Sequence, residues 1–329
     1  MRKGRLTPSE RARRAVANVL PRSVRIHGSG SELVVNHVPV DVAWVGEGWL
    51  RDVRSLLDRH DGGPDVLVAR RMSPGAREAI GKAGLSWVDE TGAAEIVLDS
   101  IIVSRPGQPI APSAEWTPSV LAVAEALLLG TRGTVKAMKA ATGLSTGSST
   151  NALRTLGNLG LLESDAARGR GSARQVSDPD RLLDAYAAEV ARESSSPSLR
   201  LGVTWRAPHD RLVEIGSRWD AAGIAWACTG AVAASVISPH LTSGGAADVY
   251  VGARTLADLE SVATDAGLRT IEGGRLRIRP FPTVSTLRLA KEIDSLWVAP
   301  WPRVYADLRT IGVRGEEAAE HLRETIHAE

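Results

Sequence analysis

The segment TGLSTGSSTNALRTLGNLGLLES, residues 142–164, limits the possible folds of this chain more than any other stretch. Leu153, Leu156 and Leu159 recur at the spacing that places side chains on one face of a helix. Small hydroxyl residues, Asn151 and Arg154 fill the positions between them. The pattern therefore predicts an amphipathic helix from about 146 to 160, with leucines in a core and polar side chains outside.

Two shorter helices are predicted immediately before this one. Thr117 and Pro118 supply a cap and a first turn for the apolar run TPSVLAVAEALLL. Thr134 caps a second helix, TVKAMKAATG, which Gly143 ends. Three successive helices, with a short glycine-containing turn between the second and the third, are typical of a helix-turn-helix.

An arginine-rich hairpin is predicted to follow the third helix. In GLLESDAARGRGSARQVSDP an apolar run leads into a Gly/Arg-rich loop and a returning strand. Arg168, Arg170 and Arg174 alternate there with small residues, which lets the backbone approach phosphate. Helices and hairpin together predict a winged helix.

The polar face of the predicted helix suits a DNA major groove, because small side chains allow close approach while Asn pairs with adenine and Arg with guanine. The stretch LSTGSSTNALRTLGNLGLL also resembles the recognition helix of winged-helix bacterial regulators. The DNA-binding residues predicted on these grounds are Thr146, Ser148, Thr150, Asn151, Arg154, Arg168, Arg170 and Arg174. The alternative is a helical bundle whose exposed face is polar without binding DNA.

Two stretches rich in Pro and Ser divide the chain into three predicted domains. These are RPGQPIAPSAEWTPS (105–119) and ARESSSPS (191–198), and both compositions are typical of linkers. They leave a basic arm with a small α/β domain at 1–108, the winged helix-turn-helix at 116–190 and a C-terminal α/β domain at 199–329. The expected fold class is a multidomain chain of α/β and α+β units.

The N-terminal segment begins with a basic arm and continues with alternating strands and helices. Residues 1–25 contain eight Lys/Arg against Glu10, which fits either a solvated amphipathic helix or an arm that touches DNA phosphate. Beyond it, the apolar runs ELVVNHVPV and PDVLVA alternate with the helical stretches WLRDVRSLLDRH and SPGAREAIGKAG. This alternation predicts a small α/β layer.

The acids of this segment give it a faint resemblance to the PD-(D/E)XK nuclease core. They are the Pro-Asp pair at 64–65, the Asp-Glu pair at 89–90 and Glu95. Nuclease chemistry needs acids on adjacent strands around a divalent ion and a lysine that orients water. Isoleucine and valine follow Glu95, so the acid-x-Lys pattern is missing. We therefore expect a degenerate, inactive unit used for DNA contact or dimerisation, with an unrelated small fold as the alternative.

The C-terminal half resembles the AbiEi family of antitoxins and regulators. The stretches that carry the resemblance are TGAVAAS, ADVYV and above all VYADLRTIGVRGEEAAEHLRE. The resemblance implies a winged helix joined to a nucleotidyltransferase-like domain. Nucleotide transfer needs paired carboxylates after the turn, but Asp248 stands alone on its predicted strand. We therefore expect a scaffold without catalytic residues.

Composition limits the remaining classes. Cys228 is the only cysteine, and the seven histidines show no spacing typical of metal ligands, so we expect no disulfide, no metal and no cofactor. No apolar run reaches the length of a signal peptide or membrane span, which predicts a cytoplasmic protein without membrane contact.

The expected function is sequence-specific binding of double-stranded DNA by a transcriptional regulator that acts as a repressor. Its affinity would depend on arginine contacts with phosphate and its specificity on the helix around 148–154. One alternative is the antitoxin of a type IV-like toxin–antitoxin pair, whose partner is a toxin protein or a second copy of the chain. Another is a metal-dependent nuclease or nucleotidyltransferase guided by the winged helix.

Overall fold

A computed structural model of the chain describes residues 6–28, 32–59, 64–99, 101–108, 115–164, 173–192, 196–238 and 245–328. The chain forms two compact units. Residues 1–110 and 310–316 make up the first unit, and residues 111–309 and 317–329 make up the second. Both units contain helices and strands, so the fold is mixed α/β.

The described residues of the first unit form a seven-stranded sheet with its strands in sequence order. Its elements are α1 (Pro8–Val19), β1 (Ile26–His27), β2 (Glu32–Val35), β3 (Val38–Trp44), α2 (Leu50–Leu57), β4 (Val66–Ala69), α3 (Pro74–Lys82), β5 (Ser86–Asp89), β6 (Ala94–Leu98) and β7 (Ile101–Arg105). Strands β3, β4 and β5 are parallel, and the other neighbouring pairs are antiparallel.

Both faces of the centre of this sheet are buried. Along β4, Val66 and Val68 belong to the core that α1 covers. Leu67 and Ala69 belong to the core on the side of α2 and α3. A strand covered on both faces has no polar side to present, which explains why VLVA shows no alternation.

The run ELVVNHVPV, expected as one apolar segment, is a β-hairpin. Strands β2 and β3 pair antiparallel with Val35 opposite Val38. The two residues between them, Asn36 and His37, have φ values of +47° and +75°. A two-residue turn with both φ values positive matches the twist of paired strands, and Asn tolerates it well. The turn lacks glycine, so the apolar pattern conceals it.

Helix α1 confirms the amphipathic interpretation of the basic arm for residues 8–19. Thr7 and Glu10 form a capping box at its start. One face is buried, with Ala12, Ala15, Val16 and Val19 in the core. Arg13 and Arg14 lie on the exposed side. The contact of this arm with DNA remains a prediction.

Glu316, in the short C-terminal part of the first unit, caps the N-termini of helices α2 and α3. Its buried carboxylate accepts backbone N–H bonds from Leu50 and Gly75, both at 2.9 Å. These residues lie in the first turns of α2 and α3, where N–H groups have no partner within the helix and a negative charge is favoured. A Cβ on Gly75 would lie 2.6 Å from Glu316 Oε1, so a side chain at this position would displace the carboxylate.

The second unit contains the predicted helix-turn-helix segment and the C-terminal half. Its elements are α4 (Pro118–Leu128), α5 (Val135–Thr142), α6 (Thr146–Asn158), β8 (Leu162–Ser164), β9 (Arg174–Val176), α7 (Pro179–Val190), β10 (Leu199–Leu201), α8 (Pro208–Ala221), β11 (Trp226–Thr229), α9 (Gly230–Ile237), β12 (Ala247–Val251), α10 (Leu256–Asp265), β13 (Leu276–Pro280), α11 (Val284–Leu289), β14 (Lys291–Ile293), β15 (Leu296–Val298), α12 (Trp301–Leu308) and α13 (Val313–Ala328). Helix α13 begins in the first unit and belongs to the second from Glu317 onward.

One hydrophobic core runs through the second unit. Six of its described strands form a mixed sheet in the order β10-β13-β12-β11-β15-β14. Leu153 of α6, Leu182 of α7, Trp219 of α8 and Tyr250 of β12 belong to the same cluster of buried side chains. The segments 116–190 and 199–309 therefore pack as one compact body, although the sequence places a linker-like stretch between them.

Candidate nucleic-acid interface

The turn that joins α5 to α6 is fixed by local hydrogen bonds. Gly143 has φ +74°, a left-handed conformation that suits glycine at a helix end. The Thr142 hydroxyl donates to the Met138 carbonyl at 2.7 Å. The Ser145 hydroxyl accepts the Ser148 N–H at 3.1 Å and thereby caps α6. The prediction of three successive helices with a glycine turn before the third is confirmed.

The leucine face of α6 is buried, as predicted. Leu153 is 3% exposed and Leu156 is fully buried. Ala152 and Ser149 lie beside them in the core, and Leu159 is half-buried at the end of the helix. This packing fixes which side of α6 faces solvent.

The opposite side of α6 brings together the residues predicted to read DNA. Thr146, Gly147, Thr150, Asn151 and Arg154 are exposed on it. Ser148 is half-buried, and its hydroxyl accepts a hydrogen bond from Ser145 at 3.0 Å. The face carries no large apolar side chain and no carboxylate, so a polyanion meets neither steric bulk nor charge repulsion there.

Hydrogen bonds on this face decide what each side chain offers a ligand. The Thr150 hydroxyl donates to the Thr146 carbonyl at 2.8 Å, which leaves its lone pairs free to accept. Arg154 Nη2 donates to Asn151 Oδ1 at 2.9 Å. Asn151 keeps both amide protons and one lone pair, and Arg154 keeps four of its five N–H donors. Both side chains thus retain the groups that bidentate base recognition uses.

Positive charge surrounds α5 and α6 without nearby acids in the sequence. No Asp or Glu occurs between Glu125 and Glu163. The basic residues in this interval are Arg132, Lys136, Lys139 and Arg154. The first three are exposed, and no acidic residue pairs with them in the part of the chain that the structure describes. The lysines of α5 are not among the DNA-binding residues predicted from the sequence. The interval without acids is the sequence signal that could have identified them as phosphate contacts.

The paired strands of the predicted hairpin are confirmed, since β8 and β9 are antiparallel with Glu163 opposite Gln175. Arg168 and Arg170 lie outside the described residues. Arg174 is half-buried at the base of the hairpin, where its N–H donates to the Gly133 carbonyl at 3.0 Å. Its guanidinium lies beside α6, because a Cβ on Gly157 would be 3.6 Å from Arg174 Nη1.

Helix α11, from the C-terminal segment, packs on the α5–α6 turn. The Ser285 hydroxyl donates to the Thr142 carbonyl at 2.9 Å, and these two buried residues are 143 positions apart in the sequence. The exposed Arg288 lies over Gly143, where an added Cβ would come within 3.1 Å of its Cδ. The tertiary structure therefore adds a cation beside the start of α6 that no local sequence signal predicts.

A buried carboxylate anchors this arrangement from beneath. Glu125 of α4 is fully buried and accepts hydrogen bonds from the hydroxyls of Tyr186 on α7 and Thr286 on α11. Burial and the neighbouring Glu125 charge hold the pKa of Tyr186 well above its ordinary value, so the phenol stays a donor. The network joins α11 to α4 and α7, and α4 packs against α6, which carries the exposed polar face.

A second buried carboxylate, Asp307, organises the core of the C-terminal segment. It accepts hydrogen bonds from Thr229 at 2.6 Å and Tyr250 at 2.7 Å. It also pairs with Arg279 at 2.9 Å and Arg303 at 3.3 Å. Burial alone would raise the pKa of Asp307, but the two arginines and the hydroxyl donors outweigh burial, and the pKa lies below its ordinary value.

The acid that the nucleotidyltransferase resemblance singles out is also paired. Asp248 lies opposite Thr229 in the β11–β12 register and forms an ion pair with Arg277 of the neighbouring strand β13. Arginine partners therefore engage both Asp248 and Asp307 in structural ion pairs.

The acids behind the nuclease resemblance do not converge. Strands β4 and β5 are parallel, with Val66 beside Ser86 and Ala69 beside Asp89. Asp65 directly precedes Val66, so it lies at the opposite end of the strand pair from Asp89. Four residues of strand separate the levels of the two acids, about 13 Å at ~3.3 Å per residue. Asp89 is buried, and its oxygens accept N–H bonds from Met72 at 3.2 Å and other backbone groups. Asp65 and Asp89 therefore cannot share one metal ion in this arrangement.

Within the described ranges, no group of three or more His, Cys, Asp or Glu side chains is arranged to hold a metal ion. The helices in those ranges are too short or too polar to cross a membrane. Comparison of the chain with protein-family models, curated proteins and solved structures gave no match.

Proposed function

We propose that this chain is a sequence-specific regulator of transcription that binds double-stranded DNA and acts as a repressor. The observation that carries the proposal is the exposed face of α6, where Asn151 and Arg154 stand among small residues above a buried leucine face. Helix α6 would enter the major groove, and the β8–β9 hairpin would lie on the backbone. Repression requires only that the bound protein occupies its operator.

The dimensions of α6 fit this role. It spans 13 residues, about 20 Å at ~1.5 Å per residue, and a major groove about 12 Å wide admits a helix. The first half of the exposed face is narrow because it carries only small residues, Thr146, Gly147 and Thr150. The helix backbone could therefore approach the bases closely. Asn151 and Arg154 follow one turn later with donor and acceptor groups suited to adenine and guanine.

Charge outside α6 supports binding to the phosphate backbone. Lys136 and Lys139 extend from α5, and Arg288 of α11 lies beside the turn. Arg168 and Arg170 remain proposed wing contacts on the ground of sequence alone. Cations that contact phosphate release bound counterions, so affinity should fall steeply as salt rises.

We further infer that helices α4–α6 with the hairpin form a winged helix, and that the C-terminal sheet is an inactive scaffold of the nucleotidyltransferase-like kind found in the AbiEi family. The ion pairs of Asp248 and Asp307 support the scaffold role, because each carboxylate already has an arginine partner. The distance between Asp65 and Asp89 along the sheet likewise supports a first unit without nuclease chemistry.

The decisive experiment is recovery of genomic fragments bound by the full-length protein, followed by salt titration of binding to the best fragment and to a scrambled version. We expect a shared sequence motif and tight binding that weakens steeply with salt. Equal, weak binding to both fragments would contradict the proposal and direct the search to a toxin partner. Loss of specific binding in Arg168 and Arg170 variants, with Asn151→Ala and Arg154→Ala unaffected, would move recognition from α6 to the wing.

A further inference from the structure

A cleft in the first unit is lined by arginines that lie outside the proposed DNA-reading face. Its volume is about 430 Å³. One wall is a single face of α1, with Arg11, Arg14 and Asn18 at helical spacing. The facing wall is formed by the turn after β5 and the chain at the end of β7, including Thr91 and Arg105. The fold thus brings guanidinium groups from two distant parts of the sequence to one cavity.

The wall opposite α1 is fixed by hydrogen bonds. Asp89 Oδ1 accepts the N–H groups of Thr91 at 2.9 Å and Ala93 at 3.2 Å. The Gln108 N–H donates to the Thr91 carbonyl at 2.9 Å and ties the segment after β7 to this turn. A Cβ on Gly107 would lie 2.0 Å from Thr91 Oγ1, so the two segments are in close contact. The cleft is therefore formed before any ligand arrives.

The cleft is lined by more basic than acidic side chains. Glu90 is occupied by Arg11, whose Nε and Nη2 donate to its two oxygens at 2.7 and 2.5 Å. Asp89 is buried, and its oxygens already accept backbone hydrogen bonds. Arg14 and Arg105 form no ion pair with any residue in the part of the chain that the structure describes. Two guanidinium charges therefore line the cleft without a carboxylate counterion among the described residues of this unit.

Arg105 is also held in position. Its Nη1 lies 3.4 Å from the carbonyl of Val19, the last residue of α1. The C-terminal end of a helix favours a cation, so this carbonyl orients the guanidinium toward the α1 side of the cleft.

We propose that this cleft binds a phosphate group, with Arg14 and Arg105 as its principal ligands and Arg11 beside them. A phosphate dianion balances two unpaired guanidinium charges, and its oxygens match the parallel N–H donors of arginine. Asn18 and Gln108 line the same cavity and supply polar contacts for the group that carries the phosphate. The phosphate belongs either to a free phosphate ester or to a DNA backbone.

The test is calorimetric titration of the full-length protein with inorganic phosphate and then with AMP, at constant ionic strength in chloride buffer. Arg14→Gln and Arg105→Gln remove one cation each from exposed positions. Arg22→Gln is the matched control, because Arg22 is also exposed in the first unit but does not line the cleft. Thermal unfolding of each variant without ligand checks that its fold is intact.

We expect saturable phosphate binding that weakens about tenfold or more in both cleft variants and is unchanged in Arg22→Gln. Absence of saturable binding by the unmodified protein, or equal affinity in all three variants, would overturn the proposal. This result does not depend on whether α6 reads DNA.

Repeating the phosphate titration with excess DNA duplex distinguishes the two sources. Displacement of phosphate by DNA, with weaker DNA binding by both cleft variants than by Arg22→Gln, assigns the site to the DNA backbone. Phosphate binding that persists beside DNA, with DNA affinity unchanged in the cleft variants, assigns it to a free phosphate ester.

Discussion

Arg154 donates a hydrogen bond to the Oδ1 atom of Asn151 at 2.9 Å, on the exposed face of α6. The two side chains proposed to read bases are therefore coupled in the free protein. Each keeps further donors or acceptors, so the contact orients the guanidinium without consuming it. Their contributions to recognition should depend on each other.

We expect Asn151→Ala and Arg154→Ala each to weaken binding to the specific fragment by about 1–3 kcal/mol, and binding to scrambled DNA much less. The binding free energy lost in the double variant should differ from the sum of the losses in the two single variants. The reason is that removal of Asn151 also releases Arg154 from their hydrogen bond. Fluorescence anisotropy with both fragments measures all three variants.

Arg269→Ala is the control for these substitutions, since Arg269 is an exposed arginine after α10. It should leave specific binding unchanged. Strictly additive losses for Asn151 and Arg154 would show that their hydrogen bond has no influence on recognition.

The cations around the α5–α6 turn should act without regard to DNA sequence. Lys136→Ala, Lys139→Ala and Arg288→Ala should each weaken specific and scrambled binding by similar factors. Each lost phosphate contact should reduce the slope of log affinity against log salt by about 1. A salt slope that is unchanged in Arg288→Ala would show that the C-terminal segment does not reach the backbone.

Asp307→Asn should destabilise the second unit by about 3–5 kcal/mol. Asparagine can still accept from Thr229 and Tyr250, but it carries no charge and so removes the ion pairs that Asp307 forms with Arg279 and Arg303. The midpoint of urea unfolding measures this loss. A small loss would mean that the hydroxyl donors, rather than the ion pairs, stabilise this cluster.

The same residue predicts a pH dependence. Its pKa in the folded protein lies below the ordinary value of 3.8, so Asp307 contributes stability above that pH and loses it as pH falls through the lower folded pKa. The stability of the unmodified protein should therefore decline more steeply below about pH 4 than that of Asp307→Asn. Urea unfolding repeated from pH 6 to pH 3 compares the two slopes.

Cys228 should report the integrity of the C-terminal core. Burial raises the pKa of its thiol to about 12, so almost no thiolate exists at pH 8, and the side chain is inaccessible. Iodoacetamide should label the folded protein very slowly and the urea-unfolded protein quickly. Rapid labelling under native conditions would indicate that this core opens locally.

Several features of the fold follow from residues close together in the sequence. Thr134 and Ser145 cap α5 and α6 by accepting N–H bonds three residues ahead. Gly143 ends α5 in a left-handed conformation, and the leucine spacing selects the buried face of α6. Such features depend on backbone sterics and on hydrogen bonds within one turn, so a single segment contains all the information they need.

The predictions that needed distant residues fared differently. The sequence placed Asp65 and Asp89 among possible metal ligands, but the strand register separates them along the sheet. The sequence does not reveal the hairpin turn at Asn36 and His37. The turn contains no glycine, so the apolar run gives no sign of where the chain reverses. Register is set by packing across the whole sheet, which no local pattern contains.

By itself, the sequence determined the helices of the middle segment, their caps and the polar face of α6. Only the tertiary structure decided that Ser285 and Arg288 pack on the α5–α6 turn and that Arg14 and Arg105 line one cleft. Helical period and capping act over three or four residues, whereas these contacts join segments far apart in the chain. They exist because burial of the apolar faces brings distant helices and strands together and thereby fixes which polar side chains meet.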